Sequence, residues 1–501
     1  MDLQHKSFKP CKTMALRETT HTADSDLFRQ ELSNIINVRH PLVQLAQQID
    51  WQSCESRFDG LYAAGLGRPG HPIRLMVGLQ LLKHTCNVSD EEVVATWVEN
   101  PYWQYFCGEQ YFRHNLPIDP SLMTGFRKRI GETGCEFILG LTLSAGLATK
   151  TVAKSSLAVV NVDTTVQDKA VTFPTDARLL HKARIALVRL ASKQGIDLRQ
   201  SYQRIGKIAF VRSQRYAHAR QINRAAAHTR KLRTYLGRVI RDIGRKMTVD
   251  GQESSRMTKL LQVAARIHSQ PRKRCEGDPP KLYSVHAPEV ECIAKGKAHK
   301  QYEFGVKVGI VSTSKESFVL ALKSLPGNPY DGHTLQSCID QATRVSGIAP
   351  KEAYADRGYR GHGCNTDSFK VWISGSKRGV TAAIQRKLKR RNAVEPVIGH
   401  LKSDGRLARN FLKGIAGDAM NALLCGAGHN LRKILRKLRL FCAFYGLTMS
   451  QLLALILPLG TNSSKPVLQL RGGQARISSK DLKPGFSGTT NSISSYTYES
   501  A

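Results

Sequence analysis

Apolar residues between about Phe28 and Leu147 recur at intervals of three and four, as in HPIRLMVGLQLLKHT, and predict a run of amphipathic helices. Ser89 and Glu92 in SDEE read as a capping box at the start of EEVVATWVEN. The rings that follow, Tyr102, Trp103, Tyr105 and Phe106, read as core rather than as a platform for bases. SLMTGFRKRIGETG adds a basic helix, so this part suits a helical DNA-binding unit, although no recognition helix stands out. At Leu157 the pattern changes. LAVVNVDTTVQ is rich in β-branched residues and reads as a strand, with Asp163 in its second half.

Helical periodicity returns after Arg178. Two further strands, YEFGVKVGIVST and FVLALKSLPG, flank the turn STSKES. HTLQSCIDQATRVSG reads as a helix ending at Gly347. EAYADRGYRG is a short strand with Asp356 where it meets a glycine-rich turn, VWISG is another strand, and AAIQRKLKRRNAVEPVIGHLK is a basic helix. A strand meander followed by strands alternating with helices predicts an α/β core with a mixed sheet and flanking helices. The implied divisions are a flexible tail (1–28), a helical DNA-binding domain (29–150) and a core in two pieces (151–177 and 276–425). A basic helical insertion (178–275), C-terminal helices (426–460) and a Ser/Thr/Gly-rich tail read as disordered (461–501) complete the chain.

Charge sharpens this picture. The 501 residues carry a formal +36 and a pI near 10.0, an excess that points to a polyanion partner. Between Arg178 and Arg274 there are 25 Lys and Arg against 4 Asp and Glu, a net +21. The cations of RQINRAAAHTRKLRTYLGRVIRDIGRK, among them Arg220, Arg224, Arg230 and Lys231, form a stripe of one sign, which favours phosphates over a merely solvated face. The 11 cysteines are scattered without zinc-like or redox spacing and read as packing thiols of a reducing compartment. Leu440–Leu459 is uncharged but diluted by Gly446, Ser450, Gln451 and Pro458, and reads as a buried or partner-facing helix rather than a membrane span.

Three carboxylates stand where a strand, a strand end and a following helix would place them: Asp163, Asp356 and Glu395. Converging above a sheet edge, such oxygen ligands suit Mg²⁺, and two such ions would assist in-line displacement at a phosphodiester. Each also has a plainer reading: a strand end for Asp163, an Asx-turn for Asp356, and an ion pair with Arg391 for Glu395. At about 100° per residue, Arg391, Glu395 and Lys402 fall within roughly 40° on a helix, and Pro396 predicts a kink or helix start beside them. Lys295, Lys297, His299 and Lys307 read as phosphate contacts or a solvated strand edge. Asp331 and His333 read as helix caps or neighbours of the metals, and His429 and Asn430 as core.

VDTTVQ, AYADRGYRG and RRNAVEPVIGHLKSDGRLARNFLKG together resemble a DDE transposase of the insertion-sequence-five family. HPIRLMVGLQLLKHT…WVENPYWQYFCG resembles its N-terminal helical domain, and the likeness extends from about Phe28 to Leu440. Arg391, Glu395 and Lys402 match the family's Tyr–Arg–Glu–Lys signature, while Leu388 replaces the tyrosine. The resemblance implies an RNase H-like catalytic core with Asp163, Asp356 and Glu395 as catalytic and metal-ligating triad, using Mg²⁺ or Mn²⁺. It also implies that Arg390, Arg391 and Lys402 contact DNA. Binding of double-stranded transposon ends and target DNA, strand cleavage and transfer, and a homodimer or higher assembly follow from the same likeness. So do a bacterial cytoplasmic, nucleoid-associated setting and no membrane role. A catalytically decayed DNA-binding protein and another RNase H-like nuclease are the competing readings.

Overall fold

The computed structural model describes residues 14–16, 31–62, 68–250, 255–271, 275, 277–294, 301–364, 369–376 and 379–456. The tails expected before residue 29 and after Gly460 lie almost wholly outside the described residues, as do Lys295, Lys297 and His299.

The first part is helical, as its periodicity predicts. It comprises α1 (Leu32–Ile35), α2 (Pro41–Gln48), α3 (Trp51–Asp59), α4 (Ile73–Cys86), α5 (Asp90–Glu99), α6 (Pro101–Phe106) and α7 (Pro120–Ala148). The capping box is present: the Glu92 amide donates to Ser89 and the Ser89 amide to the Glu92 carboxylate, closing the first turn of α5. Trp103 and Phe106 are buried and Tyr102 and Tyr105 half-buried, which places the aromatic group in the core.

Strand β1 (Val159–Asp168) follows. Four helices come next: α8 (Asp176–Lys193), α9 (Gln203–His218), α10 (Ile222–Asp250) and α11 (Ser255–Ser269). They bury a core of their own, including Leu180, Leu187, Leu232, Leu236, Ile243 and Ile267. The chain then returns to the sheet through β2 (Glu291–Ala294), β3 (Tyr302–Thr313) and β4 (Val319–Leu325). Helix α12 (Asp331–Ser346) leads to β5 (Glu352–Ala355), and β6 (Lys370–Ile373) ends the sheet. Helix α13 (Ala382–Arg390), a 3₁₀ turn Arg391–Ala393, α14 (Val394–Ser403) and α15 (Gly414–Ile456) complete the described chain.

The sheet is mixed. β3 pairs antiparallel with β1, β2 and β4, while β1, β5 and β6 run parallel in that order. Alternating residues give the sheet two covered faces. Val160 and Val162 of β1 share a core with α4, α5, α7, α12 and α15, through residues such as Leu79, Trp97, Ile138, Leu335 and Leu424. On the other face Val306, Val308 and Ile310 of β3 meet Val397 and Leu401 of α14 and Ala422 of α15. The N-terminal helices therefore share their core with the sheet. At one such junction α15 comes so close to α4 that a Cβ on Gly428 would run into the His84 carbonyl.

The uncharged stretch from Leu440 is helical to Ile456, but the side chains after Leu440 lie outside the described residues. Among the described residues no helix is long and apolar enough to cross a membrane.

Candidate active site

Parity and register bring the first two acids together. In the parallel pairing of β1 with β5, Val159 lies opposite Glu352 and Asn161 opposite Tyr354. Continuing that register by one pleat sets Asp163 opposite Asp356, the residue directly after β5. Both point to the face covered by α13 and α14, because Val160 and Val162 on β1, and Ala353 and Ala355 on β5, occupy the opposite face. The same parity explains why Glu352, two pleats below Asp356, receives Lys387 of α13 at 2.6 Å.

Between the two carboxylates lies Arg391. Its Nη2 donates to Asp163 Oδ2 at 2.6 Å and lies 3.7 Å from Asp356 Oδ2. The Arg391 side chain is only 7% exposed, Asp163 17% and Asp356 52%, so the pair opens to solvent on the Asp356 side. Asp356 also accepts from the Arg357 amide at 2.6 Å and caps the 3₁₀ turn Arg357–Tyr359. Its turn-forming role and its place beside Asp163 are thus both realised.

Glu395 stands one helical turn beyond Arg391, exposed in the first turn of α14. Its expected ion pair with Arg391 does not form, since that guanidinium is committed to the two aspartates. The expected kink is present as the 3₁₀ turn Arg391–Ala393, after which α14 starts. Pro396 then occupies the third position of α14, where a missing amide costs no intrahelical bond. Among the described residues no three His, Cys, Asp or Glu side chains are grouped closely enough to hold a metal ion. Asp163 and Asp356 nevertheless fit a hard cation by donor type, since Mg²⁺ is commonly held by one or two carboxylates, water and substrate phosphate. The Arg391 charge already placed between them shows that the pocket calls for positive charge.

The other nominated cations divide. Arg390 donates to the carbonyls of Ser314 and Lys315 at 3.2 and 2.8 Å, which pins the end of α13 to the β3–β4 turn. Lys402 lies 3.3 Å from buried Glu303 of β3. Arg220, Arg224, Arg230 and Lys231 are all exposed on α10 or the turn before it, and Arg224 lies 5.8 Å over the Tyr216 ring. Leu388, in the signature tyrosine position, is half-buried on α13.

Several neighbours carry weak sequence signals. Asp331 does not cap α12, whose N-cap is Tyr330; its Oδ1 accepts from Lys307 at 3.0 Å and from Thr164 at 3.2 Å. Thr164 follows Asp163 on β1 and so faces the other side of the sheet, while a Cβ on Gly358 would lie 3.3 Å from Asp331 Oδ2, which sets this carboxylate near the turn after Asp356. Lys307 is buried and also donates to the Pro329 carbonyl at 2.7 Å, so it serves this junction rather than a solvated edge. Burial, then Cys338 and the charges of Asp163 and Asp331, hold the Tyr359 phenol well above its ordinary value. The Tyr359 hydroxyl, the Asn161 side-chain amide and Arg391 Nε are buried without a partner among the described residues. Only YDGHTL hinted at Asp331; Asn161 and Tyr359 read as ordinary strand and turn residues.

His429 and Asn430 are core residues, as read from their sequence context. His429 Nε2 meets the Ser317 carbonyl at 3.3 Å, and Asn430 bonds both backbone groups of Val319. Burial pushes the thiols of Cys54, Cys338 and Cys425 up to about 12, the state of inert packing cysteines.

Residues 30–129 match the family described as Transposase domain (DUF772). An uncharacterised protein of Rhizobium meliloti, ORF8 in the nfe locus, is 56% identical over 197 residues, which are 39% of this chain and 95% of that protein. No solved structure matches. With a transposase domain in its first helices and a relative covered over almost its whole length at that identity, the chain belongs to a transposase family.

Proposed function

We propose that the protein is a DDE-type transposase that binds the ends of a DNA element and catalyses strand cleavage and transfer on an RNase H-like core. The observation that carries this reading is the pairing of Asp163 and Asp356 across adjacent parallel strands on one face, with one guanidinium reaching both. The antiparallel meander extended by two parallel strands, with helices between, supports the core assignment. Asp163 and Asp356 would hold Mg²⁺ or Mn²⁺, and Glu395 on the adjoining turn is the candidate third ligand.

A hard divalent cation there supplies Lewis-acid activation of the attacking water or 3′-hydroxyl and neutralises the leaving oxygen. The chain's own contribution is positional. The sheet fixes two carboxylates in register, and Arg391 offers a cation that can turn from them to a phosphate oxygen. The exposed cations of α10 supply sequence-independent attraction for duplex DNA. On this reading the working assembly is a dimer or larger, with two ends held together.

The test is Asp356→Asn. Asparagine caps a turn as well as aspartate, so the fold should be kept. Mg²⁺-dependent cleavage of an end-bearing duplex should vanish while salt-sensitive DNA binding persists. Unchanged cleavage would remove Asp356 from the site. A pre-cut end then separates the alternatives: a nuclease hydrolyses without joining, a decayed binder does neither, and a transposase joins.

A further inference from the structure

The helical insertion contains a cavity of about 270 Å³ between the α8–α9 connection and α10. Its wall includes Arg199 and Tyr202 on one side and Arg238, Arg241, Asp242 and Arg245 on the other. Arg238, Arg241 and Arg245 follow one another at three and four residues, so they share one face of α10. Four arginines and one aspartate in the wall give the cavity an excess of positive charge, which favours an anion.

That aspartate is already engaged. Asp242 accepts from the Arg199 amide at 2.9 Å and from Arg245 at 3.4 Å, with Lys246 at 4.0 Å. It holds the wall together more than it neutralises it. Tyr202 adds a second feature. It takes a left-handed backbone conformation, φ 54°, directly before the 16-residue helix α9, and no side chain caps that helix. Tyr202, the residue before that helix, lines the wall itself. The Tyr202 ring stacks on Tyr235 at 4.9 Å, and Arg238 lies over it at 6.0 Å, so this arginine is held in place.

We propose that this cavity is a phosphodiester-binding site that grips the backbone of duplex DNA on the insertion. The proposal rests on the transposase reading only in naming DNA as the ligand. Arg238, Arg241 and Arg245 belong to the basic run that the sequence singles out, whereas Arg199 lies outside it and is brought to them by the fold. The stripe continues toward them at seven-residue steps from Arg224 through Lys231 to Arg238 and Arg245, so the cavity ends a track along α10.

The experiment compares two triple variants with equal loss of charge in the full chain. One carries Arg238→Gln, Arg241→Gln and Arg245→Gln. The other carries Lys207→Gln, Arg212→Gln and Arg215→Gln, all exposed on α9 and outside the cavity. Circular dichroism checks that both fold. Binding to a random-sequence duplex is measured by fluorescence anisotropy across a salt series, so no cleavage enters the readout. The cavity variant should bind at least ~10-fold more weakly and lose about three from its salt slope, one for each phosphate contact. The α9 variant should change far less. Equal losses in the two would overturn a built site and leave a diffuse basic surface. A second arm titrates inorganic pyrophosphate against thermal stability. Stabilisation that the cavity variant abolishes, with duplex binding intact, would assign the cavity to small phosphate compounds and overturn the DNA proposal. Failure of the transposase reading would instead appear as absent cleavage with duplex binding unaffected.

Discussion

Arg391 places a nearly buried guanidinium between carboxylates of two adjacent strands, and its strength depends on how water sees each partner. Asp163 is largely shielded and lies 2.6 Å away; Asp356 is half-exposed at 3.7 Å. Removing one member of a buried pair commonly costs about 3–5 kcal/mol, because the remaining charge is stranded. Solvent at Asp356 lowers that figure, so Arg391→Gln should destabilise the metal-free protein by about 2–3 kcal/mol in urea unfolding. Millimolar Mn²⁺ should restore much of the loss in the variant and stabilise the wild type less, because only the wild type already has a cation there. Equal responses to Mn²⁺ in both proteins would show that the aspartates do not form a cation site. Asp331→Asn addresses the neighbouring junction. It leaves buried Lys307 without its anion, and a loss of about 1–3 kcal/mol is expected in the same assay.

The elements that period and turn chemistry specify were legible in the sequence: the capping box of α5, the β-branched run of β1, the short strand before Asp356. What could not be read was partnership across distant segments. Helical spacing puts Arg391, Glu395 and Lys402 on one stripe, yet the 3₁₀ turn at Arg391–Ala393 sends the arginine to two strands while Lys402 reaches β3. Helical spacing gives faces, not partners. His429 on α15 shows the same limit, since its burial depends on the β3–β4 turn far away in sequence. Burial, with Lys433 and Arg432 nearby, lowers its pKa to about 3. An unfolded histidine titrates near 6.5, so between roughly pH 6.5 and 3 the unfolded chain binds a proton that the folded chain refuses. Stability from this site is therefore complete above about pH 6.5 and is lost as pH falls. His429→Gln keeps a donor for Ser317 without the titration, and should flatten the acid limb by about 1 kcal/mol or more between pH 6 and 4. Parallel acid limbs for the two proteins in urea midpoints would remove His429 from the account.

At the scale of the whole molecule, the buried apolar residues show which parts depend on one another. The N-terminal helices, one face of the sheet and α15 share a single core, and Arg432 of α15 reinforces the joint by donating to the His84 and Asp404 carbonyls at 2.7 and 2.9 Å. A transposase domain built this way shares its core with the sheet and is not a separately folded unit. The insertion differs, because α8–α11 close on residues that belong to neither face of the sheet. Its net +21 would be a folding burden in a shared core, but costs little on a bundle with a core of its own. Replacing residues 175–281 with a short flexible linker should therefore leave a cooperative fold, because no sheet-facing core residue is exposed by the cut. Trp51, Trp97 and Trp103 report the N-terminal helices and Trp372 reports β6, so their fluorescence should still unfold in one transition with the far-ultraviolet signal. Duplex binding in ~0.1 M salt should fall by ~100-fold or more, with a shallower salt slope. An excised protein that no longer folds would show that the insertion supports the sheet. One that folds and binds duplex undiminished would move the main DNA contact to the helices that carry the transposase domain.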